Sequence, residues 1–146
     1  MRTMVVGVML ALALAAVALP ALAREQKFAA QANGQISFVM PSSNIGCIYT
    51  PRGGTSTYQP VDGGPELSCD RIEPSYINMR LGPKGEAVLT QEPGEQSCCG
   101  GDNVFAYGNS VHFDGFMCTS STAGLTCETT DGRHGFCVAK SRLLHY

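Results

Sequence analysis

The sequence predicts an all-β domain, a small antiparallel sandwich or barrel stapled by disulfides and preceded by a cleavable signal peptide. Three observations carry this. Apolar residues fall in short alternating or β-branched windows, turn residues separate nearly every pair of windows, and helix signals are missing beyond the first apolar run. The seven cysteines, Cys47, Cys69, Cys98, Cys99, Cys118, Cys127 and Cys137, all lie downstream of that run. No repeat period or low-complexity tract is visible.

The N-terminal element has the residue pattern of an export signal. Arg2 supplies a positive start, Met4 to Leu19 is uncharged and apolar, Pro20 breaks the run, and Ala21-Leu22-Ala23 places small residues at a cleavage point. Residues 1–23 are therefore expected to be a signal peptide cut after Ala23. The run is shorter than the ~20 residues of a bilayer-spanning helix, and the first cysteine, Cys47, stands far from the cut. No stable membrane anchor is expected after cleavage. Export places the chain in the periplasm or outside the cell, where thiols oxidise. Cleavage leaves nine Lys and Arg, scattered singly, against twelve Asp and Glu. Capture of nucleic acid or of an anionic membrane surface needs clustered cations, so neither partner is expected.

Residues 24–35 are polar without a period and read as a poorly ordered leader. A single disulfide-bonded β domain is expected over 36–146, in ten windows: 36–40, 46–50, 67–72, 76–81, 86–90, 104–107, 111–113, 116–120, 125–129 and 136–139. Pro41-Ser42-Ser43-Asn44, Pro51-Arg52-Gly53-Gly54, Asp62-Gly63-Gly64-Pro65, Gly82-Pro83-Lys84-Gly85, Gly108-Asn109-Ser110 and Asp131-Gly132 supply the reversals. The long connections 53–65 and 91–101 are where a rigid β scaffold would carry a binding surface.

Cysteine pairing follows from strand spacing. Matching Ser120 with Leu125 across a short Ser-Thr-Ala-Gly turn sets Cys118 opposite Cys127. Cys47 and Cys69 each lie in an apolar strand window with no cysteine between them, and form the second expected pair. Cys98, Cys99 and Cys137 stay open: either Cys137 bonds one of the adjacent cysteines, or Cys98 and Cys99 bond each other and Cys137 is free.

Chemical motifs are sparse. Cys127, His134 and Cys137 have a metal-like spacing but lack a fourth ligand. A thiol nucleophile at Cys99 or Cys137, with His112 or His134 as base, lacks an orienting third group. Asp62, Glu66, Asp70 and Glu73 form the densest acidic stretch and read as solvated. Tyr49, Tyr58 and Tyr107 lie near loops, where a recognition surface for a protein or glycan ligand would sit. No GxGxxG, GxSxG, Walker A, EF-hand or HExxH pattern occurs. No catalytic residue, metal or cofactor is expected.

Several strings together resemble a small exported bacterial domain family of unknown function. They are Phe38-Val39-Met40-Pro41-Ser42-Ser43-Asn44-Ile45-Gly46-Cys47, Ser68-Cys69-Asp70, Tyr107-Gly108, Gly115-Phe116-Met117-Cys118-Thr119-Ser120, Gly124-Leu125-Thr126-Cys127 and His134-Gly135-Phe136. The resemblance spans nearly the whole mature chain and agrees with the two pairings read from spacing. Arg133 and Cys137 depart from that family's GHGF-type ending. No activity follows from the likeness. The functional expectation is a non-enzymatic exported binding or structural module. The alternative is an inhibitor of a secreted or host hydrolase such as lysozyme, presenting loop 91–101, and behind it comes a small hydrolase or thiol enzyme.

Overall fold

A computed structural model describes residues 23–96 and 98–146, so the expected signal peptide lies outside the described residues apart from Ala23. Eleven strands and no helix occur among the described residues. The first five-stranded sheet is an antiparallel meander of β2 (Ile36–Val39), β3 (Ile45–Thr50), β4 (Glu66–Arg71), β5 (Ile77–Leu81) and β6 (Val88–Gln91). A second meander follows in β7 (Asn109–Phe113), β8 (Phe116–Ser121), β9 (Gly124–Thr129), β10 (Gly135–Val138) and β11 (Leu143–His145). The short β1 (Arg24–Glu25) adds to β7 in parallel and makes that sheet six-stranded.

Period-2 alternation decides which face of each sheet is buried. Leu67, Cys69 and Arg71 of β4, Phe116, Cys118 and Ser120 of β8, and Leu125, Cys127 and Thr129 of β9 are all buried, while the residues between them are exposed or half-buried. The two inward faces meet in an aromatic cluster. Phe38 and Tyr49 of the first sheet stack on Phe113 of the second at 5.8 and 4.9 Å, and Phe105 meets Phe38 edge-on at 5.4 Å. Such pairs contribute about 0.5–1.5 kcal/mol each beyond their buried area.

Cys47 is bonded to Cys69 and Cys118 to Cys127, each pair directly opposed in the ladder with Cα atoms 4.1 Å apart. That is the close spacing of a non-hydrogen-bonded antiparallel pair, where side chains approach most nearly. Both bridges point into the core. Cys98 is bonded to Cys99, and Cys137 is free. Placement explains why Cys137 does not bond either of them. Cys98 and Cys99 lie over Gly46 on the outer face of the first sheet, whereas Cys137 alternates with the buried Phe136 and Val138 and so faces away from the core on the second.

The sheets remain separate ladders joined at both margins, which makes the fold a sandwich. At one margin Val39 donates to the Asn103 carbonyl and Phe105 donates to the Val39 carbonyl, both at 2.9 Å; at the other Ala87 donates to the Tyr146 carbonyl at 3.3 Å. Three local expectations change. Residues 24–35 are not a loose leader: besides β1, Gln26 donates its side-chain amide to the Val104 carbonyl at 2.8 Å and accepts from Asn109 at 3.0 Å, and Phe28 stacks on Phe38 at 5.5 Å. One amide and one ring anchor that segment, and neither leaves a period to read. Window 104–107 forms only an isolated bridge from Val104 to Val39, because the chain there crosses between the sheets with Phe105 fully buried. The last strand, β11, has too few apolar residues to signal itself.

Replacing Cys118 or Cys47 with Ala should each lower stability by about 3 kcal/mol, measured by denaturant unfolding. At the C-terminus the Tyr146 hydroxyl donates to Glu128, and that bond, helped by burial, pushes Tyr146 up to about 12. The folded state thus holds this proton longer than the unfolded chain, whose tyrosine titrates near 10. The contribution is complete below pH 10 and fades as pH rises toward 12. Tyrosinate absorbance should show a late step that Tyr146→Phe removes.

Candidate functional site

The chemical strings noted in the sequence are pulled apart by the fold. Cys127 is committed to Cys118 inside the core while Cys137 faces outward, so the Cys127, His134, Cys137 spacing does not converge. No group of three His, Cys, Asp or Glu able to hold a metal occurs among the described residues. Cys99 is oxidised, and His112 is exposed on the outer face of β7. Three of the four acids go to separate partners and the fourth to solvent. Glu66 is buried and accepts from the Tyr58 hydroxyl at 2.5 Å with Arg80 at 3.8 Å, Asp70 accepts from Asn78 at 2.8 Å, Glu73 pairs with Lys140 at 3.0 Å, and Asp62 is exposed. Burial, then the bond to Glu66, raises the Tyr58 hydroxyl above its ordinary value. Tyr49 is a core residue, raised mainly by burial. Tyr107 stays 41 % exposed.

Tyr107 stands in a concavity of about 440 Å³, a groove at one end of the sandwich. Its walls come from both sheets: Met40 and Ser42 to Ile45 from the β2–β3 turn, Ile72 and Glu73 after β4, Ser121, Thr122 and Gly124 from the β8–β9 turn, and Ala139 and Lys140 after β10. The floor is apolar through Met40, Ile45 and Ile72, and the rim carries hydroxyls. Asn44 fixes one wall, its side-chain amide donating to the Glu73 carbonyl at 3.0 Å and accepting from the Glu73 amide at 2.8 Å. Gly124 permits the opposite wall, since a Cβ there would stand 2.6 Å from the Val138 carbonyl oxygen.

Arg71 ties the walls together. Only 5 % exposed, it donates to the Ala139 carbonyl at 3.1 Å across the sandwich and to the Ser75 carbonyl and hydroxyl at 3.2 Å on its own sheet. It forms no ion pair among the described residues, and burial lowers its pKa. Sequence reasoning missed both Arg71 and Asn44. A charge at an inward position of the Leu67, Cys69, Arg71 alternation was the available signal; Asn44 looked like any turn residue.

The long connections both return to the outer face of the first sheet. Tyr58 of 53–65 covers Glu66, and Cys98 and Cys99 cover Gly46, the residue whose missing Cβ makes room for them. Loop 91–101 is thus exposed through Gln96 and then folds back onto the sheet.

No protein-family model, curated protein or solved structure matches this chain.

Removing the guanidinium should cost the groove its brace. Arg71→Ala is expected to destabilise the protein by about 2–3 kcal/mol, the scale for buried hydrogen bonds from a charged donor. It should also speed amide exchange at Ser75 and at the residues following Ala139. Unchanged stability together with unchanged exchange contradicts the brace.

Proposed function

We propose that the protein is an exported, non-enzymatic binding module, working in the periplasm or outside the cell, that seats an uncharged polar ligand in the end groove. One observation carries this reading: loops of both sheets converge on a single concavity whose walls are braced by Arg71 and Asn44, the arrangement of a pre-formed pocket on rigid elements. The lining contains neither His nor Cys. Its carboxylate, Glu73, is neutralised by Lys140, so the groove favours hydroxyl- or amide-rich ligands over ions. Three disulfides suit an oxidising compartment.

Titrating isotope-labelled protein with solubilised envelope glycans and peptides tests the reading. Amide shifts at Ser43, Asn44, Tyr107 and Thr122 are expected, with binding weakened about tenfold by Tyr107→Ala, as for loss of an aromatic contact. Chemical turnover of the bound species, or inhibition of lysozyme by a surface that spares these residues, contradicts it.

A further inference from the structure

A second, smaller concavity of about 130 Å³ lies on the outer face of the first sheet, away from the end groove. Its lining includes Ser37 of β2, Gly46 and Ile48 of β3, Ser68 and Asp70 of β4, and the bonded Cys98 and Cys99. The strand register makes these neighbours: Ser37 and Ser68 flank Ile48, and Gly46 is opposite Asp70.

The disulfide is seated firmly. A Cβ on Gly46 would stand 3.0 Å from Cys98 Sγ and 3.2 Å from Cys99 Sγ, and the sulfurs lie 3.7 and 3.8 Å from the Asp70 carbonyl oxygen. Oxidised sulfur carries no proton, so these are packing contacts. The bridge thus forms a flat, polarizable, apolar wall, extended by Ile48, which is 45 % exposed. Beside that wall stands a carboxylate with spare capacity. Asp70 Oδ1 accepts from Asn78 at 2.8 Å, the same Asn78 nitrogen donates to the Ser68 hydroxyl at 2.8 Å, and Asp70 forms no ion pair among the described residues. A carboxylate offers about four acceptor positions, so most remain open here.

We propose that this cleft binds a single sugar ring. A pyranose has a C–H face that needs a flat apolar wall and an edge of vicinal hydroxyls that a carboxylate accepts as paired donors. The Cys98–Cys99 bridge with Ile48 supplies the first, and Asp70 with Ser68 supplies the second. An ammonium ligand would use Asp70 but leave the apolar wall without a role. The assignment is independent of the end groove.

The test is a titration of disulfide-intact, isotope-labelled protein with methyl glycosides of glucose, galactose, mannose and N-acetylglucosamine. At least one should bind in the millimolar range, on the order expected for one ring with few hydrogen bonds, and shift the amides of Gly46, Ile48 and Asp70. Asp70→Asn should weaken it about tenfold and Ile48→Ser several-fold, while both keep a folded spectrum. Joint Cys98→Ser and Cys99→Ser replacement should abolish binding. Silence toward all four glycosides, shifts confined to Ser43 and Tyr107 of the end groove, or variants that bind like the parent each overturn the proposal.

Discussion

The structure depends on the placement of one buried disulfide in each meander. In the first, the ladder aligns Phe38, Cys47, Cys69, Met79 and Leu89 in a row; in the second, Val111, Cys118, Cys127, Phe136 and His145. In both, the bond joins the second and third strands of five. A one-residue slip of either strand would send a cysteine and all its inward companions to the outside, so the bond and the apolar alternation enforce the same register. The repeated plan is a property of pairing, not of an obvious sequence period.

Fixed registers fix where hairpins end, and hairpin ends make the groove. The β2–β3 and β4–β5 turns of one sheet and the β8–β9 and β10–β11 turns of the other arrive at the same end of the sandwich. Bringing them together buries polar groups that must be satisfied, because an unpartnered buried donor costs about 1–3 kcal/mol. The two terminal nitrogens of Arg71 meet that demand with carbonyls from both sheets, leaving its buried Nε without a partner among the described residues, and Ser120 meets it by donating to the Phe105 carbonyl at 3.0 Å. The same interactions that close the end of the core therefore shape the surface presented to a ligand.

Much of the fold was legible from local rules. Windows around Cys47, Cys69, Cys118 and Cys127 alternate cleanly, and the turn between Ser121 and Gly124 sets its register without tertiary information. Elements held by distant partners were not legible. Gln26 is ordered by residues about eighty positions away, Phe28 by Phe38 and the distant Phe105, and Phe105 is buried through a crossing segment rather than a strand. The candidate surfaces were half visible: the long connections stood out by length and composition, but only the structure brings them to the outer sheet face, with Gly46 accommodating Cys98 and Cys99. Within the Asn44-Ile45-Gly46-Cys47 string the residues divide the work. Asn44 clasps Glu73 through its side chain, Ile45 packs in the core, Gly46 leaves clearance for the outer bridge, and Cys47 bonds Cys69.

Non-reducing peptide mapping of the folded protein by mass spectrometry tests the central claim most directly. The expected result is fragments joined through Cys47 with Cys69 and through Cys118 with Cys127, a Cys98–Cys99 bridge internal to one peptide, and a single alkylatable thiol at Cys137. A bridge from Cys137 to either Cys98 or Cys99, or any exchange of partners between the two meanders, contradicts it.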